Sequence, residues 1–374
     1  MKIIVGGGIA GLWLALECQS RGIACCVLEQ GALGQAQTLA SQGMIHGGTK
    51  YALDGVLSQA ATVIGAMPSR WLDALAGRGS VNLAGVQLHR SDQLLWSTDS
   101  LKSQLVGFFA SKAMASRMQR IHPDDEPGFG DAGFRGMLYR LNEPVIDVAS
   151  CLSVMSEQLH GCIFQAQVQS LVWQGDRVIG VETDGGRLDG DTVILTAGEG
   201  TEALLADSPH QDIRMQRRPL AMVAARLVHP TIPIFGHHIG FGSKPKLTVS
   251  THHAAAHQTL YLGGQLAEDG VNLSDDAQIT QGIEALQTSI GWRQFDIIDL
   301  SVIRVTRAEP ATGQGHRPDT AAVFPRKGLI VAWPTKLALA PALADDVLAI
   351  FQGKETATQR PAWSTPGIGQ YPWH

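Results

Sequence analysis

The sequence predicts an α/β fold in which a parallel-sheet domain, built from both ends of the chain, is interleaved with an antiparallel-sheet α+β domain. Three observations carry this. An apolar strand over 2–6 runs through a glycine turn into a helix over 9–21 and a second strand over 23–28, which makes a β-α-β opening. An apolar strand over 192–197 and a final strand (329–333) and helix (337–352) have the same character. Between them, runs rich in Val, Leu, Thr and aromatics at 219–228, 234–241, 247–252 and 258–264 read as a separate antiparallel sheet.

The remaining elements follow in order. Residues 34–55 are rich in Gly, Ser and Thr and read as irregular. Helices are predicted at 56–76 and 101–120. The second has an apolar face (Leu101, Leu105, Phe108, Phe109, Met114) that packs on its own domain or docks on a membrane or partner. The Pro/Gly/Asp-rich stretch 122–136 reads as a lid or an edge connection. Strands are predicted at 162–173 and 177–184, with Asp184-Gly185-Gly186 supplying the following turn. A helix at 275–290, a strand at 299–308 and a loose polar tail complete the chain. This order divides it into 1–75, 145–215 and 305–374 for the first domain, and 76–144 and 216–304 for the second.

Composition narrows the function. At 374 residues and 44% hydrophobic, the chain can bury a large core. A net charge of -5 argues against a nucleic-acid partner. Five cysteines without CxxC spacing make a disulfide framework unexpected and suit a reducing, cytoplasmic setting. No run of about 18 apolar residues is present, so no membrane span is expected, which leaves peripheral membrane contact open.

The string Gly6-Gly7-Gly8-Ile9-Ala10-Gly11 fits G-x-G-x-x-G. Gly6 permits the tight turn out of the strand, Gly8 lets backbone approach a pyrophosphate, and Gly11 lets helix and strand pack closely. The phosphates then meet the free N–H groups of the helix start at Ile9 and Ala10. Glu29 ends the second strand 18 residues after Gly11, where its carboxylate can bond both ribose hydroxyls, with Gln30 beside it. These residues suit NAD or FAD alike.

The run from Gly6 through Ala15 and Arg21-Gly22 to Leu28-Glu29 resembles the N-terminus of the D-amino-acid-oxidase (DAO) superfamily of flavoproteins. Thr192 to Gly198 resembles its second flavin segment, which ends in a small residue and glycine, here Ala197-Gly198. Gly328 to Ala332, followed by Leu339 to Ala344, resembles its last flavin-contacting strand and helix. The resemblance implies FAD as cofactor and a Rossmann-like FAD-binding domain of the glutathione-reductase type. It also places Val168 near the adenine through its backbone.

Ser41-Gln42-Gly43-Met44-Ile45-His46-Gly47-Gly48-Thr49-Lys50-Tyr51 resembles the HGG stretch of flavin-dependent glycerol-3-phosphate dehydrogenases and L-2-hydroxyglutarate oxidases, which runs beside the isoalloxazine ring. By that resemblance Ser41, Gln42, Gly43, Met44 and His46 face the flavin. His46 has three readings: a base for the substrate hydroxyl or amine proton, a covalent attachment point, or a loop residue set by its backbone. Trp333-Pro334-Thr335-Lys336 departs from the family's usual glycine-rich loop and is closer to the glycerol-3-phosphate group. There the helix start at Leu337 can offer N–H groups, and Lys336 positive charge, to the flavin.

On the substrate side, Gly315-His316-Arg317-Pro318 matches a G-x-R-P segment of amino-acid-oxidase relatives, with Ala322 where they carry aspartate. Arg304 and Arg307 are three apart on one strand, so at most one of them enters a given pocket. Arg317 and Arg307 are the candidates to hold a carboxylate or phosphate; a surface or inter-domain ion pair is the competing role for each. His237, His238, His252, His253 and His257 lie among predicted strands without a carboxylate, so no metal site is expected. Lys244 and Lys246 read as anion-recognising or as a solvated hairpin tip.

Together these readings predict an FAD-dependent oxidoreductase. It would oxidise a CH–OH or CH–NH bond of a small anionic substrate by hydride transfer to flavin N5, and pass electrons to oxygen, a quinone or another carrier. No second dinucleotide fold to present NAD(P)H is read from the sequence and no CxxC is present, which argues against NAD(P)H-linked reductases. Two other readings fit the residues: an NAD-dependent dehydrogenase and a non-catalytic flavin-binding assembly protein.

Overall fold

A computed structural model describes residues 1–48, 59–98, 118–239, 244–253, 257–313, 315, 318–351 and 361–373. Among these, two large sheets organise the chain. The first runs β18 (Ala322–Arg326), β19 (Leu329–Trp333), β12 (Thr192–Leu195), β1 (Lys2–Val5), β2 (Cys25–Glu29) and β8 (Ile163–Gln165). All its pairings are parallel except β18 with β19. Its central strands are buried on both faces, which is why they read as unbroken apolar runs rather than alternating ones. Helix α1 (Ile9–Ser20) lies on one face and is buried from Ile9 through Cys18. It is covered by α2 (Gln59–Leu75), with Trp13 and Trp71 in ring contact at 4.6 Å, and by α3 (Val148–Gln158) and α7 (Ala340–Leu348).

The second sheet runs β17 (Ile297–Pro310), β13 (Met215–Leu227), β16 (Gln258–Gly263), β15 (Pro245–His253), β14 (Gly236–Ile239), β4 (Gln93–Thr98), β6 (Gly136–Leu141) and β5 (Met118–Ile121). It is antiparallel apart from the β14–β4 pair, so the expected all-antiparallel sheet carries one parallel junction. Helix α6 (Asp275–Ile290) packs on one face, started by the Ser274 side chain, which accepts from Ala277 N. The short helices α4 (Gly200–Leu205) and α5 (Gln265–Asp269) lie in connections. A small sheet of β11 (Gly186–Asp189), β10 (Arg177–Thr183) and β9 (Val168–Gln174) and a pair of β3 (Leu88–Arg90) with β7 (Val145–Ile146) complete the strands.

Several expectations are corrected. The single strand over 162–173 is two, β8 and β9, in different sheets. Most of the helix expected at 101–120 lies outside the described residues, and its end, from Met118, is strand. In 122–136, Phe129 and Phe134 are buried against Trp96 and Trp292, so the stretch is packed as an edge connection. The last helix starts with a 3-10 turn, Leu337–Leu339, and regular helix begins at Ala340. The tail is docked over 361–373. Leu33 N donates to Gly367 O at 2.8 Å, and Tyr371 and Trp373 are buried and stack at 4.8 Å. All five cysteines are buried thiols. No helix among the described residues is long and apolar enough to cross a membrane.

Candidate active site

At the end of β1 the chain turns at Gly6, whose φ of 111° only glycine adopts readily. A Cβ there would lie 2.6 Å from Thr196 O. A Cβ on Gly11 would lie 2.1 Å from Gly6 O, so β1, α1 and β12 approach as closely as they do because both positions lack side chains. Thr196 Oγ1 sits between Val5 O (3.0 Å) and Gly6 O (3.3 Å). Gly8 caps α1 without a side chain, and Ile9 N donates to Thr38 Oγ1 at 3.2 Å. The Glu29 carboxylate accepts from Gly7 N (2.8 Å) and Gly31 N (3.0 Å), one bond to each oxygen. A carboxylate has about four acceptor sites, so capacity remains for further donors.

The turn opens into a cavity of about 1670 Å³. Small-molecule sites usually measure roughly 300–1,000 Å³, so this one has room for a dinucleotide and a second ligand. Residues 41–48 form part of its wall. They are held from behind by 143–146: Ile45 N donates to Pro144 O (3.0 Å) and Ile146 N to Gly43 O (2.9 Å). Gly43 has φ 69°, and a Cβ there would meet Ile146 O at 2.2 Å. Gln42 ties the segment to the second sheet, its Nε2 donating to Tyr261 O (2.9 Å) and Thr248 O (3.2 Å).

His46 lines the cavity with its side chain 44% exposed. Two groups flank it. The buried Glu143 accepts from Gly47 N at 2.8 Å, and its other oxygen lies 3.9 Å from His46 Nδ1. His237, on β14, has its ring centroid 5.1 Å from that of His46. Burial, and secondarily His46, holds His237 well below the usual imidazole range, so it is neutral. Both its nitrogens are engaged, by Thr248 Oγ1 (2.9 Å) and Gln93 Oε1 (3.1 Å).

A charged cluster also lines the cavity. Arg307 lies 3.7 Å from Glu268 and Arg218 lies 3.6 Å from the same carboxylate; Arg218 also meets buried Glu309 at 3.3 Å, and Lys244 bonds Glu268. Burial would raise the Glu268 carboxyl, but Lys244, Arg307 and Arg218 outweigh it and hold it below its ordinary value. Arg304, on the opposite face of β17, bonds Leu273 O and Asp275 instead. At the end of β19 the chain turns through Thr335 at φ 61°, a costly conformation for a β-branched residue, beside the cavity-lining Lys336.

Residues 2–343 match the family described as DAO, FAD dependent oxidoreductase. This chain belongs to that family. A Pseudomonas aeruginosa protein named as a probable FAD-dependent oxidoreductase is 40% identical over 350 residues, covering 93% of this chain and 89% of the relative. Its crystal structure superposes with a TM-score of 0.85 at 34% identity, over 100% of this chain and 96% of that one. Glycine oxidase from Geobacillus kaustophilus shares the fold (TM-score 0.63, 15% identity, 96% of each chain). So does the FAD-complexed glycerol-3-phosphate dehydrogenase of Bacillus halodurans (0.61, 13%, 93% of this chain and 63% of that one). The protein is thus an FAD-dependent oxidoreductase, and the NAD-dependent reading is set aside.

The DAO-family cavity fits FAD on its own geometry: glycines where a Cβ would meet backbone, a cavity-lining helix start whose Ile9 N, expected to be free, meets the Thr38 hydroxyl, and a carboxylate with spare acceptor sites. Gly6, Gly8, Ile9, Ala10, Glu29, Gln30, Val168, Ala197, Gly198, Ser41 to Met44, His46 and Pro334 to Leu337 all line it, as does Arg307. Gly11 lies beneath it in the packing. His316 and Arg317 lie outside the described residues, as do Thr49 to Tyr51. No group of metal-ligating side chains occurs among the described residues. The other expected histidines disperse: His238 bonds Ser289 and is pushed down to about 4 by burial, and His252 bonds Ser250. Thr38, Glu143, His237, Arg218 and Glu268 were not foreseen. His237 stood out only as one of the histidines among predicted strands, for which no metal site was expected, and nothing in the spacing pointed to this contact. Glu143 carried none, since strand pairing alone brings it to His46.

Proposed function

We propose that this enzyme oxidises a CH–OH or CH–NH bond of a small anionic molecule. FAD would lie along the cavity from the glycine turn to His46, with Glu29 on the ribose and Lys336 and Leu337 at the flavin end. The observation that carries this reading is one cavity joining the glycine turn, His46 and Arg307. When bound, FAD supplies at N5 the acceptor for the hydride leaving the substrate carbon. His46 takes the proton from the substrate hydroxyl or amine; being half open to the cavity, it can reach a ligand. Neutral His237, with both nitrogens engaged, backs His46 without competing for that proton. Arg307 orients a carboxylate or phosphate by its planar fork, exchanging its longer contact with Glu268 for a bidentate one. The same reading assigns the parallel sheet to an FAD-binding domain and the eight-stranded sheet to a substrate domain.

The test is anaerobic addition of candidate substrates to the yellow holoenzyme. The fold relatives are named for an amino acid and for a polyol phosphate, so the panel spans 2-hydroxy acids, polyol phosphates and D- and secondary amino acids. Bleaching by an anionic member is expected, with bleaching by its uncharged analogue much slower. A panel in which nothing bleaches would instead favour a flavin-binding protein without this activity.

A further inference from the structure

Glu143 is 1% exposed and lies directly behind the segment that carries His46. One of its oxygens accepts from Gly47 N at 2.8 Å across a separation of 96 residues. The other, Oε2, is buried without a hydrogen-bond partner. A carboxylate oxygen in that condition is costly unless something answers its charge. Among the described residues the basic atom within ion-pair reach is His46 Nδ1, at 3.9 Å. That is too long for a hydrogen bond, which needs the ring to close by about 1 Å. The side chain is part-exposed and lines the cavity, so it has room to move, and site hydrogen bonds commonly tighten when ligand binds.

The surroundings leave Nδ1 little other choice. The backbone on both sides of His46 is fixed, by Ile45 N to Pro144 O and by Gly47 N to Glu143 itself. The neighbouring His237 has both nitrogens committed elsewhere. We propose that Glu143 is a positioning residue: it holds His46 in the tautomer with the proton on Nδ1, which leaves the Nε2 lone pair for the substrate. A carboxylate can only accept, so a neutral imidazole facing it must donate from Nδ1. The inference rests on the reading of His46 as base. In that step the substrate O–H or N–H proton goes to Nε2, the C–H hydrogen leaves with its electron pair to the bound flavin, and a C=O or C=N bond forms. Glu143 then faces the imidazolium as its counter-charge and keeps its own charge throughout.

The first test needs no variant of Glu143. In holoenzyme carrying ¹⁵N-histidine, the His46 signals, identified by their loss in His46→Ala, should show the neutral ring protonated on Nδ1. A ring protonated mainly on Nε2 overturns the proposal. The second uses Glu143→Gln, whose amide oxygen can still accept from Gly47 N while its NH₂ group faces Nδ1 and forces the other tautomer. Flavin reduction should slow by about 10²-fold at saturating substrate, with KM and FAD content near wild type. Glu143→Asp should recover part of the rate, and Glu143→Gln should cost nothing further in a His46→Ala background. A wild-type rate in Glu143→Gln beside a slow His46→Ala would sink this proposal and leave the proposed function standing. A wild-type rate in His46→Ala would remove the base itself. If Glu143→Gln does not fold, Glu143→Asp and the tautomer of the wild-type ring decide.

Discussion

The glycine turn and the charged wall face the same cavity but are specified in different ways. The turn is made by what its residues lack: Gly6 and Gly11 sit where a Cβ would lie 2.6 and 2.1 Å from backbone oxygens. The wall is made by side chains, with Arg218 from β13, Lys244 from the connection into β15, Glu268 from α5 and Arg307 from β17, held by mutual charge. A shape built from backbone is local in sequence and intolerant of substitution. A shape built from side chains is assembled by tertiary pairing, and it can be altered one residue at a time while the fold persists.

The largest effect should come from breaking the turn. Gly11→Val puts the new Cβ itself 2.1 Å from Gly6 O, so the protein should be recovered colourless or insoluble, as read by the flavin-to-protein absorbance ratio. A yellow, stable Gly11→Val protein would show that the close approach is not needed. The wall should respond differently. Arg307→Ala should keep its FAD and raise KM for an anionic substrate about 10- to 100-fold in steady-state assays, since a charged hydrogen bond contributes about 1.5–3 kcal/mol. Arg307→Lys should recover only part, because it restores charge without the fork.

Beneath the turn, α1 carries the buried Glu17, which bonds Arg21, Arg70 and Ser80. Burial would raise its carboxyl, but those partners outweigh burial and hold it below its ordinary value. A depressed carboxyl stabilises the fold above its unfolded value, and that stability is lost as pH falls through the folded one. Glu17→Gln should therefore cost about 2 kcal/mol at neutral pH in urea melts, with the penalty shrinking below about pH 4. The smallest effect belongs to Gly22→Ala. Its φ is 69°, yet a Cβ there meets nothing within 4 Å, so only backbone conformation opposes it, at about 1 kcal/mol. The contrast with Gly11 separates lack of space from lack of conformational freedom.

The same contrast explains what could be read from the sequence. The β-α-β opening, the 41–48 segment and the 275–290 helix were legible because glycine spacing and apolar periodicity are local signals. Glu143 and His237 were not, because they reach His46 only through strand pairing and docking across 97 and 191 positions. The docked tail was misread because its anchors are two aromatics, Tyr371 and Trp373, whose partners His252 and Tyr261 lie more than 100 residues away. Arg304 and Arg307 show a partial success: their spacing required opposite faces, and β17 puts Arg307 at the cavity and Arg304 behind it.

The central claim is that His46, at the junction of cradle and wall, removes the substrate proton. Stopped-flow flavin reduction under anaerobic conditions, with wild type and His46→Ala at equal FAD content and the same substrate, tests it most directly. The account predicts a rate about 10²- to 10⁴-fold lower in the variant. Equal rates in the two proteins would contradict it.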